Sequence, residues 1–235
     1  MKRLFYEEWQ QKRLNKIINI FGEDWFAGKK VLELGSCYGD IGIPLLKLGA
    51  HVTFTDLREN YLEAIKEKVI DLNGNLAPCE FKQLNQENIY NLNQQYDLVL
   101  HLGVLYHIKN WKQDLKCAIS HGKYCILESI VAAKPDINGD TELVPTKNFD
   151  EYSGDGGNRS LFSAESVESQ LAIAGNKYIR FDTRDLNTNI SWNSEGYIQM
   201  LYDWKFPTAI HYRNNMVLNN QSVNVCFRRF WFVMR

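Results

Sequence analysis

The stretch Val31-Leu-Glu-Leu-Gly-Ser-Cys-Tyr-Gly-Asp40, followed by His51-Val-Thr-Phe-Thr-Asp56, constrains this chain more than any other feature. An apolar run, a turn with glycines at 35 and 39, an apolar helical segment and a second apolar run ending in a carboxylate spell strand, helix and parallel strand. A chain that leaves the carboxyl end of a parallel strand for a helix must turn sharply and bring its backbone against a ligand, and glycine allows both. Asp56 follows Gly39 by 56 − 39 = 17 residues, close to the ~20 at which an acid meets ribose hydroxyls at the end of the second strand. The pattern predicts a nucleoside-binding crevice suited to an adenosine-type ligand.

The rest of the chain fits the same plan. Apolar residues at Phe5, Trp9, Leu14, Ile17, Ile18 and Phe21 predict an amphipathic leading helix over 3–21, stopped by Gly22. Strands are expected at 30–34, 51–56, 79–84, 96–101, 124–129, 178–182 and 223–233, and helices at 41–48, 58–70 and 113–120. Ser163 is placed to cap a further helix whose core face is Val167, Leu171 and Ala174, with Gly175 ending it. Alternating strands and helices give an α/β class: a three-layer α/β/α sandwich around a mostly parallel seven-stranded sheet. At 235 residues the chain is read as one domain, 1–235, with longer irregular insertions at about 131–162 and 183–222.

Composition excludes several classes. A formal net charge of −1 disfavours a protein that grips nucleic acid by broad electrostatics, although Arg228-Arg229 is a candidate local basic patch. No apolar run approaches the ~20 residues of a membrane span, and the amino terminus lacks an apolar signal core, so a cytoplasmic location is expected. Five cysteines without CxxC spacing read as free thiols rather than a zinc site or a disulfide framework.

The turn itself separates cofactor classes. A dinucleotide site wants G-x-G-x-x-G, so that pyrophosphate meets a helix N-terminus. Here the pattern is Glu33-x-Gly35-x-x-x-Gly39, flanked by Glu33 and Asp40. Those carboxylates repel pyrophosphate and favour a cationic ligand, which disfavours a nicotinamide dehydrogenase. The motif resembles the first motif of the class I S-adenosylmethionine-dependent methyltransferases, whose cofactor carries a sulfonium and an ammonium. A second stretch, Tyr96-Asp-Leu-Val-Leu-His-Leu-Gly-Val-Leu-Tyr-His107, ends in Gly103-Val-Leu-Tyr-His107. That ending resembles a subgroup containing enzymes that alkylate the tRNA wobble uridine oxygen together with glycan and small-molecule methyltransferases.

The resemblance implies a last strand inserted antiparallel, and S-adenosyl-L-methionine as cofactor. It implies a cofactor site drawn from Glu33, Gly35, Ser36, Cys37, Gly39, Asp56, Leu57, Asn85 or Gln86, and Gly103, with His101 facing either this site or the neighbouring helix. If the acceptor atom is a hydroxyl oxygen, a histidine is the natural base, and His107 is the candidate; the alternative is that it pins its loop by bonding a carbonyl. Tyr106 lines a pocket or packs. Glu128 orients His107, bonds the acceptor, holds a metal with residues such as Asp155 and His211, or caps a helix. Trp192, Tyr197 and His211 are candidates for binding the acceptor, against an aromatic plug at the sheet edge. No metal is assigned. The expected activity is O-methylation of a small-molecule or glycan hydroxyl, with a tRNA wobble-uridine alkylating enzyme and a non-catalytic S-adenosylmethionine-binding protein as alternatives. The oligomeric state is not fixed by the sequence.

Overall fold

The structure is a computed structural model, and it describes residues 4–73, 77–131, 142–145, 158–189, 191–193, 196–202, 215–218 and 221–235. Helix α1 (Leu4–Phe21) leads and ends at Gly22, whose φ of 87° and bond from its N–H to the Ile18 carbonyl turn the chain away. Then come β1 (Lys30–Leu34), α2 (Gly42–Lys47), β2 (His51–Asp56), α3 (Glu59–Asn73) and β3 (Cys79–Gln83). They are followed by β4 (Tyr96–Leu102), α4 (Trp111–Ser120) and β5 (Gly122–Ile130). After β6 (Glu142–Pro145) and β7 (Asn158–Leu161), a separate antiparallel pair, come α5 (Ala164–Ile173) and β8 (Lys177–Arg180). Ser163 caps α5 as expected, its Oγ accepting from the Ser166 N–H at 3.1 Å.

The expected parallel core is present in the order β3-β2-β1-β4-β5. Beyond it lies the last strand, β12 (Gln221–Met234), antiparallel to β5 from Arg228 to Met234. Its other edge takes β8, also antiparallel. All seven expected strands therefore form, and three more extend the sheet to ten among the described residues. These are β9 (Ser191–Asn193), β10 (Gly196–Tyr202) and β11 (Asn215–Leu218), which arise inside the stretch expected to be irregular. The cause is the length of β12: its first half runs past the end of β5 and needs partners for its backbone groups, which β10 (parallel) and β11 (antiparallel) supply.

Two apolar cores flank the sheet. One joins Val31, Val52, Phe54 and Leu100 to α1, α2 and α3 through Ile17, Leu45 and Ile65. The other joins Leu32, Val99 and Trp231 to α4 and α5 through Trp111 and Val167. Period-two alternation along each strand makes this three-layer sandwich. Because β1, β2, β4 and β5 pair in parallel, their carboxyl ends gather along one edge.

Candidate active site

The turn after β1 is held open by backbone geometry. Gly35, Cys37 and Gly39 have φ of 64°, 50° and 71°. Cys37 occupies a left-handed position that costs a residue with a Cβ. At Gly35 a Cβ would fall 2.5 Å from Val104 Cγ2, so glycine is needed there for the close approach of the β4 loop as well as for its φ. Ser36 locks the turn to β2: its N–H donates to the Thr55 carbonyl at 2.8 Å, and its Oγ both donates to the Glu33 carbonyl and accepts from the Thr55 N–H.

Two carboxylates flank this turn. Glu33, at the end of β1, is buried, and its Oε1 accepts from the Gly42 N–H at 3.2 Å at the start of α2. Its Oε2 is buried without a partner. Burial, and then the nearby Asp40 charge, push the Glu33 pKa up to about 8, against the opposing bond from the Gly42 N–H. Asp56, buried at the end of β2, accepts from the Cys37 N–H at 3.0 Å, from the Arg58 N–H at 3.0 Å and from Arg58 Nε at 3.2 Å. Three donors on a carboxylate with about four acceptor positions leave capacity for another hydroxyl. Burial, and then the Asp56 charge, raise the Cys37 thiol to about 11, so it stays a neutral lining group. Leu57 lies exposed beside Asp56.

The other sequence candidates divide. Asn85 is exposed, and its Oδ1 accepts from the Glu87 N–H. Gln86 is buried and turns inward, donating to Asp114 Oδ1 of α4 at 3.1 Å. His101, fully buried on β4, also faces α4, with its Nε2 at 2.7 Å from Asp114 Oδ2. The structure thus gathers Gln86, His101 and Tyr90 around Asp114. Gly103 follows β4 with φ 74°, and a Cβ there would meet Arg13, Arg228 and Glu128 at 3.4–3.6 Å. Tyr106 and His107 stand on the single 3₁₀ turn Leu105–His107, their rings 4.2 Å apart. Trp192 and Tyr197 have described backbones in β9 and β10, and His211 lies outside the described residues, as does Asp155.

Glu128 is the centre of a network that the sequence pattern did not announce. Fully buried at the end of β5, it accepts from Arg13 Nη2 of α1 at 3.0 Å, from Arg228 Nη1 of β12 at 2.8 Å and from the Tyr202 hydroxyl of β10 at 3.3 Å. Trp9 donates from Nε1 to the Tyr202 hydroxyl at 2.7 Å and lies against both guanidiniums, 4.3 Å from Arg13 and 4.4 Å from Arg228. Arg228 Nη2 donates to the Tyr106 hydroxyl at 3.2 Å. Burial, and then the Glu128 charge, push the Tyr202 hydroxyl upward, so it remains protonated. Arg228-Arg229 is not a surface patch: both side chains are buried, because alternation along β12 sends them to opposite faces. Arg228 meets Glu128, while Arg229 lies 3.6 Å from Glu168 of α5. The usable signal was an arginine pair inside an apolar strand, and an arginine four residues after Trp9 on the apolar side of a helix.

Residues 32–121 match the family described as a methyltransferase domain. A lysine methyltransferase from Xenopus tropicalis, "EEF1A lysine methyltransferase 3", is 38% identical over 84 residues, 34% of this chain and 36% of that protein. The "Ribosomal protein L11 methyltransferase" of Campylobacter concisus (strain 13826) is 28% identical over 130 residues, 54% of this chain and 45% of that protein. The chain thus spans under half the length of these curated relatives. Among solved structures, the N-terminal domain of EvdMO1 in the presence of SAH and D-fucose superposes with TM-score 0.63 at 16% identity. That superposition covers 96% of this chain and 82% of the other. Magnesium protoporphyrin IX methyltransferase from Synechocystis PCC 6803 with bound SAH gives TM-score 0.60 at 16% identity, covering 100% and 88%. The fold is thus the Rossmann-like α/β fold that these solved structures share.

Proposed function

We propose, from the methyltransferase domain that residues 32–121 match, that this chain is an S-adenosylmethionine-dependent methyltransferase acting on a hydroxyl oxygen of a small or carbohydrate-like acceptor. The observation that carries this reading is the pair of buried carboxylates, Glu33 and Asp56, on either side of a left-handed glycine turn. Glu33 is costly to ionise where it stands and has one bare buried oxygen, so an ammonium brought beside it recovers that cost. Asp56 retains acceptor capacity for a ribose hydroxyl, and the loop of Gly35, Ser36, Cys37 and Gly39 offers backbone with little side chain in the way. Leu57 gives an apolar cover for the base, with Asn85, just past β3, as the polar residue for that edge. These features fit a cationic adenosine-type cofactor, which when bound supplies an electrophilic methyl group.

The chain's own part in the chemistry is positioning and proton removal. His107, on the turn beyond Gly103, is the group to take the proton from the acceptor hydroxyl, and Tyr106, tied to Arg228, lines that side. The oxygen-acceptor reading is supported by the likeness to a structure solved with SAH and a sugar.

Calorimetric titration with S-adenosylmethionine and S-adenosylhomocysteine tests the reading. Micromolar binding of either is expected, and no heat from both would return the glycine turn to an unassigned nucleoside fold.

A further inference from the structure

We propose that an aromatic-walled pocket at the end of α1 binds a small ligand with an aromatic body and one anionic group, at the end of the sheet opposite the glycine turn. Such a site is separate from the cofactor crevice and does not depend on the methyltransferase reading. The pocket lies between α1, β8, β12 and the start of β5, with a volume of about 640 Å³, within the range of about 300–1,000 Å³ usual for small-molecule sites. Its walls are half-buried rings: Phe21 ending α1, Trp25 on the 3₁₀ turn Glu23–Phe26, Tyr124 on β5, Phe232 on β12 and Phe181 just after β8. Phe21 stacks on Trp25 with centroids 4.3 Å apart, and Tyr124 on Phe232 at 5.4 Å. Phe21 and Phe181 reach Phe232 at 5.7 and 6.2 Å, so the rings hold one another before a ligand arrives. No described helix closes this wall, because α1 stops at Phe21 and α5 packs on the other face of the sheet. Ile179, in register with Phe232 and part of the lining, stays 45% exposed. Apolar surface left open in a concave site with a polar rim marks a place for a ligand.

The rim supplies the charge. Lys123 Nζ lies 5.0 Å from the Tyr124 ring centroid, Lys29 Nζ 5.5 Å from that of Trp25 and Lys16 Nζ 6.0 Å from that of Phe181. Lys16 is balanced by Asp185 at 3.0 Å. Lys29 and Lys123 have no carboxylate partner among the described residues, although Glu23 and Asp24 stand on the turn that carries Trp25. Two unmatched ammoniums beside ring faces complement one acidic group on a flat apolar body. The position sets this pocket apart from the crevice. Tyr124 precedes Glu128 by 128 − 124 = 4 residues along β5, about 13 Å at ~3.3 Å per residue. It is the Glu128 end that meets Gly103 and the His107 turn.

The probe for the test is anilinonaphthalenesulfonate, an aromatic anion whose fluorescence rises in apolar surroundings. Titrated into the folded full chain, it should give a saturable one-site rise at micromolar concentration. Ile179→Asp sets a carboxylate in the pocket wall at an exposed position and should weaken the probe by at least about ten-fold. Lys29→Gln combined with Lys123→Gln should weaken it about five-fold. Phenylnaphthylamine, the same rings without the sulfonate, should bind the wild type and the lysine variant equally. No saturable rise, or equal affinity in Ile179→Asp, overturns the pocket; should that variant not unfold cooperatively, the lysine variant decides. Loss of both probes to the same degree in the lysine variant, or of neither, overturns the anionic group. Wild type and Ile179→Asp should sediment alike, and a wild-type dimer that the substitution splits gives this face to a second copy and overturns the small ligand. Saturating S-adenosylhomocysteine should leave the probe's affinity unchanged, whereas competition places the probe in the crevice and overturns the proposal. Absence of heat from S-adenosylhomocysteine itself would sink the methyltransferase reading while the pocket, tested by its own variants, stands.

Discussion

The two ends of the carboxyl edge of the sheet are built by different means. At the glycine turn, partners are close in sequence and half of each pair is backbone: Glu33 with the Gly42 N–H, Asp56 with the Cys37 N–H, Ser36 with the Thr55 N–H. At the β5–β12 end, partners are far apart and side chain meets side chain: Arg13 with Glu128, Arg228 with Glu128, Trp9 with Tyr202. The first end follows from a local β-α-β unit and is formed once that unit is formed. The second exists only after α1, β5, β10 and β12 have all docked, so its cost and its specificity belong to the tertiary fold.

The largest effect should come from breaking the second end. Glu128→Ala strands two buried guanidiniums, and a loss of about 3–5 kcal/mol in unfolding free energy is expected from urea denaturation. A loss below about 1 kcal/mol would mean that the arginines relax into water and that the network does not hold this end of the fold together. His107→Ala separates chemistry from cofactor binding. Turnover should fall by about 10²-fold or more while S-adenosylhomocysteine affinity stays within error. Equal losses in both would move His107 into the cofactor site.

The smallest and most diagnostic effect concerns pH at the first end. The Glu33 pKa is raised in the folded state from an ordinary 4.5 to about 8, so the fold holds this proton more tightly than the unfolded chain does. Its contribution to stability is therefore full below about pH 4.5 and is lost as pH rises towards about 8. Glu33→Gln should flatten that part of the stability–pH curve, measured by urea midpoints from pH 5 to 8.5. An unchanged curve would show that Glu33 does not titrate in that window. Binding of a cation should strengthen over the same pH range in the wild type and not in the variant.

The sequence carried the parallel core almost residue for residue, because buried parallel strands read as apolar runs and the glycines mark the turn. Ser163 and Gly22 bounded their helices through capping chemistry that is local. The strands β9, β10 and β11 were not legible: their pairing answers the overhang of β12, and nothing within 183–222 states how far that strand runs past β5. Gln86 and His101 show the same limit at single residues. Each stands beside the right strand end, but Asp114, on a helix that follows both, draws their side chains inward.

By itself the sequence determined the α/β class, the order of the core strands and the backbone shape of the glycine turn, since all three depend on periodicity and on φ values that glycine permits. Tertiary structure alone decided that Arg13, Glu128 and Arg228 meet, and that Arg228 and Arg229 part to opposite faces. The physical reason is that a side-chain ion pair between residues a hundred positions apart leaves no local periodicity, and becomes favourable only once packing has removed the water that would otherwise solvate each charge.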